Sequence, residues 1–307
     1  MNINFNNGVY PVMLTPFTDE NEVDYPALGR LVEWYIDAGV SGLFAVCQSS
    51  EMYCLSLEES TKIAAYIVKK VNGRIPVVAS GHISESFEGQ VNELNRMCDT
   101  GIDALILLSN KLAAQDESDD VWLHNMDRLL LKLPESMPLG FYECPVPYKR
   151  VLSPRLTSWC AQSGRFYFLK DTCCDIELIK EKIDIIKGSN LKLFNANTTT
   201  LLDSLKLGAA GFSGVMANFH PELYSWLCRH YDENEEKSKL IASFLTIASF
   251  VERQVYPANA KYLQCELGNF NSIQTRVKDP SLLNATAVDE VHQLIFLTDY
   301  FRQFIED

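Results

Sequence analysis

The chain has 307 residues, 47% hydrophobic and 22% charged, a balance that suits an ordinary globular fold with a sizeable core, as one large domain or two medium ones. Its 27 basic and 40 acidic residues leave a formal charge of −13, which argues against nucleic acid or an anionic membrane as a main partner, since both repel an acidic protein. Residues 1–8 have neither a basic start nor an apolar run, and no stretch reaches the roughly 18 uninterrupted apolar residues of a spanning helix, so neither an export signal nor a membrane span is expected. The nine cysteines are scattered through apolar segments, which fits reduced thiols in a cytoplasmic protein better than a disulfide framework.

In chain order, short apolar or β-branched runs at 8–14, 42–47, 76–80, 104–108, 139–143, 166–170, 191–194 and 211–215 read as strands. Segments of helical period separate them, at 25–38, 56–71, 86–100, 119–133, 153–161, 176–186 and 198–207. Asp24, Ser56 and Ser153 stand where N-caps belong, and Gly39, Gly101 and Gly208 stand just past helix ends. This alternation predicts an α/β fold with a parallel sheet. Right-handed crossovers close eight such units most economically into a (β/α)8 TIM barrel, with an open doubly wound sheet as the alternative and no Gly-rich phosphate loop to favour it.

Beyond the eighth strand, 235–253, 257–267 and 287–305 read as additional C-terminal helices. The predicted division is a barrel over 1–231 and a helical extension over 232–307 packed on it, available for subunit contacts. The acidic stretches at 116–120 and 232–236 fall at helix starts, where carboxylates complement the helix dipole, and read as solvated surface rather than cation sites.

Barrel chemistry sits where the strands end, and three positions stand out there. Lys170 follows the apolar run Phe166-Tyr167-Phe168-Leu169. An ammonium desolvated at the barrel mouth loses pKa and supplies neutral amine able to attack a ketone, whereas a lysine snorkelling to water does not. Tyr142, near the end of strand five, places a phenol where it either shuttles protons or rests as a buried, hydrogen-bonded side chain. Gln48-Ser49-Ser50-Glu51 after strand two offers hydroxyls and successive backbone N–H groups to a carboxylate, or forms a plain polar turn.

Six motifs in order give the chain a resemblance to the dihydrodipicolinate synthase / N-acetylneuraminate lyase family, the class I pyruvate-dependent aldolases. They are Gly8-Val9-Tyr10-Pro11 through Thr15-Pro16-Phe17, Cys47-Gln48-Ser49-Ser50-Glu51, Tyr142-Glu143-Cys144-Pro145, Lys170-Asp171-Thr172, Gly208 to Ser213 with Met216-Ala217-Asn218, and 257–268. The resemblance implies that Lys170 forms an iminium with pyruvate or another 2-keto acid and that Tyr142 moves protons. It further implies that Gln48 and Ser49 flank the keto-acid carboxylate, that the Ser213 carbonyl lies near the bound acid, and that Glu51 is structural. Neither a metal nor an organic cofactor is implied. The partners expected are a small-molecule keto acid and an aldehyde, with a second copy of the chain in a dimer or tetramer.

The departures fall in the second-substrate half. Residues 107–111 lack the family's relay tyrosine, Pro147 stands where an arginine is expected, and Gln48 replaces a hydroxyl residue. Asn110, Glu143 and Lys149 are the candidates to rebuild what is missing, Glu143 as a specificity or acid-base element. Residues 195–199 lack the acidic pattern of the sialic-acid lyases. The expectation is therefore a Schiff-base lyase or aldolase with a non-standard second substrate. Dehydration of a sugar-acid-like substrate through the same iminium and a keto-acid-binding protein without turnover stand as alternatives. A metal-dependent aldolase is disfavoured, because His82, His124, His220, His230 and His292 form no ligand-spaced cluster.

Overall fold

The computed structural model describes residues 5–306. Strands and helices alternate as β1 (Gly8–Val9), α1 (Tyr25–Asp37), β2 (Leu43–Phe44), α2 (Leu57–Val71), β3 (Val77–Ala79), α3 (Phe87–Cys98), β4 (Ala104–Leu108), α4 (Asp119–Leu130), β5 (Leu139–Tyr142), α5 (Pro154–Ser163), β6 (Phe166–Asp171), α6 (Ile176–Ile186), β7 (Lys192–Asn195), α7 (Leu201–Leu207), β8 (Gly211–Phe212) and α8 (Pro221–His230). Three more helices follow among the described residues, α9 (Glu235–Ala248), α10 (Ala258–Glu266) and α11 (Ala285–Glu306). The expected caps form: Asp24, Ser56 and Ser153 accept from the N–H groups of Ala27, Glu59 and Leu156.

All strand pairs are parallel, in the order β1-β8-β7-β6-β5-β4-β3-β2. Closure comes from a parallel bridge between Val12 and Phe44, where Phe44 N donates to Pro11 O and Met13 N to Phe44 O, both at 3.0 Å. The sheet is thus a (β/α)8 barrel, and the open-sheet alternative falls. At the β1–β8 seam the backbones approach so closely that a Cβ on Gly211, whose φ is +155°, would lie 1.8 Å from the Gly8 carbonyl oxygen. The eighth barrel helix, α8, is the element that the periodicity reading does not mark, although Leu223, Tyr224 and Leu227 give it a buried stripe.

Aromatic side chains fill the barrel beneath its mouth. Phe168 stacks on Phe194 with centroids 4.4 Å apart, and Tyr10 meets Phe168 and Phe194 edge-on at 5.2 and 4.7 Å. Phe44 lies 6.2 Å from Phe168 and completes the layer. Each such ring contributes about 1.5–3 kcal/mol by leaving water, and together they give the site an apolar floor. On the outside, Phe141 and Phe166 stack at 5.1 Å against Trp122 and Trp159 of α4 and α5. A register shift between Leu139 and Gly140 leaves Tyr167 as an extra residue in β6. That bulge lets Phe166 face the helices while Phe168 and Lys170 both face the barrel axis.

Candidate active site

Lys170, one residue before the end of β6, lies directly opposite Tyr142 of β5 in the strand register. It is 4% exposed, and its Nζ lies 4.2 Å from the centroid of the Tyr142 ring and 5.9 Å from that of Phe44. Burial pulls the ammonium's pKa down to about 8, and the side chain makes no ion pair or hydrogen bond among the described residues. Roughly 9% of such an amine is neutral at pH 7, against about 0.03% at its ordinary value. The aromatic layer supplies that desolvation, so the core and the reactivity of the lysine have one cause.

Tyr142 donates its phenol hydrogen to Oε1 of Gln48 at 3.1 Å. Burial, helped by the nearby Cys144 thiol, pushes its pKa well above the ordinary phenol range, so it holds its proton. The acceptor matters chemically. A hydroxyl in that position both accepts and donates, whereas an amide oxygen only accepts, so no proton passes beyond Gln48. Gln48 orients Tyr142 without relaying for it.

Gln48 and Ser49 open the short turn Gln48–Ser50 after β2, which Ser50 pins: its Oγ accepts from Cys47 N at 3.1 Å and lies 2.7 Å from the Met13 carbonyl. Among the described residues the backbone N–H groups of Gln48 and Ser49 have no acceptor. Glu51, in a left-handed conformation with φ 62°, is fully buried and turned away behind the turn. Its carboxylate binds Lys261 Nζ of α10 at 2.6 Å and accepts from Thr275 Oγ1, Arg276 N and Val277 N at 2.8, 2.5 and 3.0 Å. A buried carboxylate so satisfied is a tether, and it fixes the segment after α10 over the barrel mouth.

Gln48, Ser49, Tyr142 and Lys170 line one cavity of about 610 Å³. Ser213 does not: its hydroxyl donates to Tyr10 O at 2.9 Å, its N–H donates to Asn195 O at 2.9 Å, and the adjacent Gly214 and Val215 form that part of the wall. Tyr53, Glu252, Tyr256 and Lys278 also belong to the lining. The sequence reading marks none of these four, because they arrive from a loop and from C-terminal segments that only the fold brings together.

The three residues considered as replacements for the missing groups are all occupied elsewhere. Asn110 Nδ2 binds the carbonyls of Cys144, Val146 and Tyr148 at 2.9, 2.9 and 2.7 Å, clamping the loop after β5. Lys149 Nζ reaches Thr172 O at 2.7 Å. Glu143, next to the inward-facing Tyr142, points to the outer face, as strand alternation requires. It shares Lys182 of α6 with Asp171, the neighbour of Lys170, at 2.5 Å to each carboxylate, and all three side chains are buried. Burial and the charge of Asp171 raise Glu143 to about pKa 7, while burial of Lys182 is outweighed by the two carboxylates, which raise it. Glu143 is therefore a brace behind β5 and β6, not an acid-base element in the cavity. No group of three or more His, Cys, Asp or Glu among the described residues is arranged to hold a metal ion, and no helix there is long and apolar enough to cross a membrane.

A sequence model of the dihydrodipicolinate synthetase family matches residues 5–277. The chain belongs to that family. Members are class I, pyruvate-dependent Schiff-base aldolases and lyases. It is 25% identical over 264 residues to the 4-hydroxy-tetrahydrodipicolinate synthase of Staphylococcus epidermidis, an alignment covering 85% of this chain and 87% of the relative. Among solved structures it is similar in fold to the dihydrodipicolinate synthase of Acinetobacter baumannii complexed with pyruvate, with a TM-score of 0.84 at 21% identity over 96% of this chain and 99% of that one. The same holds for YagE of Escherichia coli K12, a prophage protein of the family, also in complex with pyruvate, with a TM-score of 0.83 at 21% identity over 96% and 98% of the two chains. Identities this low mark a divergent member.

Proposed function

We propose that the protein is a class I lyase in which Lys170 attacks the keto carbon of pyruvate or a related 2-keto acid. The observation that carries this reading is a lysine 4% exposed, free of any ion pair among the described residues and held near pKa 8 by burial, beside a phenol that keeps its proton. Nucleophilic addition gives a carbinolamine, to whose hydroxyl Tyr142 supplies a hydrogen bond as water leaves. The free N–H groups of Gln48 and Ser49 hold the acid's carboxylate. The resulting iminium draws electrons from the adjacent carbon, so a proton is lost from C3 or a C3–C4 bond breaks, and the enamine returns to iminium on protonation.

The cytoplasm is the inferred location. The exposed apolar residues Ile247 of α9 and Phe296 and Tyr300 of α11, at 65%, 72% and 58% exposure, support a homo-oligomer in which the segment 232–307 lies at the contacts of the 1–231 barrel.

Deuterium exchange into pyruvate tests the electron-sink chemistry without knowledge of the second substrate. In D2O the wild type is expected to wash the methyl protons out of the pyruvate NMR spectrum, and Lys170→Ala is expected not to. Equal, buffer-level exchange in both would defeat the proposal.

A further inference from the structure

Tyr256, in the segment between α9 and α10, lines the same cavity as Ser49, yet the steps at Lys170 and Tyr142 do not use it. Its neighbours decide which way its phenol hydrogen points. Asn218, in the turn Val215–Asn218 after β8, is fully buried, and its Nδ2 lies 3.0 Å from each of Val12 O, Val215 O and the Tyr256 phenol oxygen. Two of those partners are carbonyls, which only accept, so the amide nitrogen faces all three. On its other side, Asn218 Oδ1 accepts from the phenol of Tyr35, a fully buried residue of α1. An amide nitrogen only donates. The Tyr256 oxygen is therefore the acceptor in its bond to Asn218, and its own hydrogen is left for a partner in the cavity.

The group beside that phenol belongs to the turn after β2. Burial raises the Tyr256 pKa well above the ordinary phenol range, and the Ser49 hydroxyl opposes the rise, which places the two hydroxyls side by side. The Cys47 thiol, just ahead of the same turn, acts on Lys170, Tyr142 and Tyr256 alike, so all three heads face one end of the cavity. Ser49 is 6% exposed, and its backbone N–H, like that of Gln48, has no acceptor among the described residues. Two N–H groups, a serine hydroxyl and a phenol that keeps its proton thus stand together with no cation among them. A carboxylate has about four acceptor positions to offer such a set. A ketone without a carboxylate leaves sheltered donors unmet, which is costly.

We propose that Tyr256 is a further arm of the keto-acid carboxylate site, donating its phenol hydrogen to the carboxylate beside Ser49, with Asn218 and Tyr35 as the positioning residues that aim it. The assignment rests on the Schiff-base reading, since bonding to Lys170 is what brings the acid to this end of the cavity. It ties the choice of a 2-keto acid over a plain ketone to a hydrogen-bonded chain that begins in α1, outside the barrel.

The test compares the rate of cyanoborohydride-trapped adduct from pyruvate with that from hydroxyacetone, which carries a hydroxymethyl group in place of the carboxylate. The wild type is expected to favour pyruvate, and Tyr256→Phe to lower the pyruvate-to-hydroxyacetone ratio about 10- to 100-fold, mainly by raising the pyruvate concentration needed for half-maximal trapping. The phenylalanine leaves Asn218 its bonds to Val12 O and Val215 O. Tyr35→Phe is expected to lower the same ratio in part and to add nothing in the Tyr256→Phe background, because both changes act through one hydrogen bond. A merely structural defect would slow both ketones alike. An unchanged ratio in Tyr256→Phe, or equal trapping of the two ketones by the wild type, would overturn the assignment of Tyr256. Additive effects of the two substitutions would overturn the positioning role of Tyr35. Absence of any pyruvate adduct from the wild type would instead overturn the Schiff-base reading beneath them.

Discussion

Replacing Lys182 with methionine removes the one cation between Glu143 and Asp171, each 2.5 Å from its Nζ and fully buried. Two buried carboxylates then face each other without compensation, and loss of a buried partner typically costs about 3–5 kcal/mol. The pH dependence follows from the direction of the Glu143 shift. Its folded pKa, about 7, already lies above the ordinary 4.5, because of burial and Asp171, and loss of the lysine raises it further. A carboxyl raised on folding favours the native state below its unfolded pKa and loses that contribution as pH rises through its folded one. The penalty in Lys182→Met is therefore expected to be small near about pH 5.5, where one carboxyl is protonated, and full near about pH 8.5. Urea unfolding of variant and wild type at both values measures it. A loss under about 1 kcal/mol, or an equal loss at both pH values, would refute the brace and the assignment of Glu143 to the outer face.

Adduct formation with pyruvate is expected to accelerate as pH rises through about 8 and then level off, because the neutral amine of Lys170 reacts; stopped samples reduced across a pH series would show it, and a midpoint near the ordinary lysine value would contradict the desolvation argument. Tyr142→Phe is expected to slow turnover about 100- to 10,000-fold while the Lys170 adduct still forms, measured by pyruvate exchange beside trapping. Glu51→Gln is expected to lower the urea midpoint by the equivalent of about 3–5 kcal/mol by stranding Lys261, with Lys261→Met in the same chain restoring part of it.

Much of the fold is readable in the sequence because each barrel unit states its own period and its own cap: Ser56 with Glu59 closes a reciprocal capping box, and Gly208 ends α7 at φ 106°. Lys170 and Tyr142 stand out because strand ends in this fold face the barrel mouth, but that pattern leaves each a plain structural reading beside the chemical one, and only the resemblance chooses between them. Glu143 was within reach of the same logic. Alternation sends it opposite to Tyr142, and Lys182, lying in the buried stripe of Ile179, Ile183 and Ile186, names its partner. What no local pattern contains is the hydrogen bond from Tyr142 to Gln48, 94 positions apart, or the arrival of Glu252 and Lys278 at one cavity. The first depends on closure of the barrel, which brings the turn after β2 across to the end of β5, and the second on the path of segments after β8, which the buried Glu51 carboxylate organises from the other end of the chain. Ser213 illustrates the same limit on a smaller scale, because the resemblance implies a place for its carbonyl beside the bound acid, whereas Gly214 and Val215 line the cavity there.

The central claim is that Lys170 is the nucleophile toward a 2-keto acid. Intact-mass measurement after incubation with pyruvate and borohydride tests it most directly, with peptide mapping of the modified chain. The account predicts one reduced pyruvate adduct per chain, located on Lys170 and absent from Lys170→Ala. An unmodified wild type, or an adduct on another lysine that persists in the variant, would contradict it.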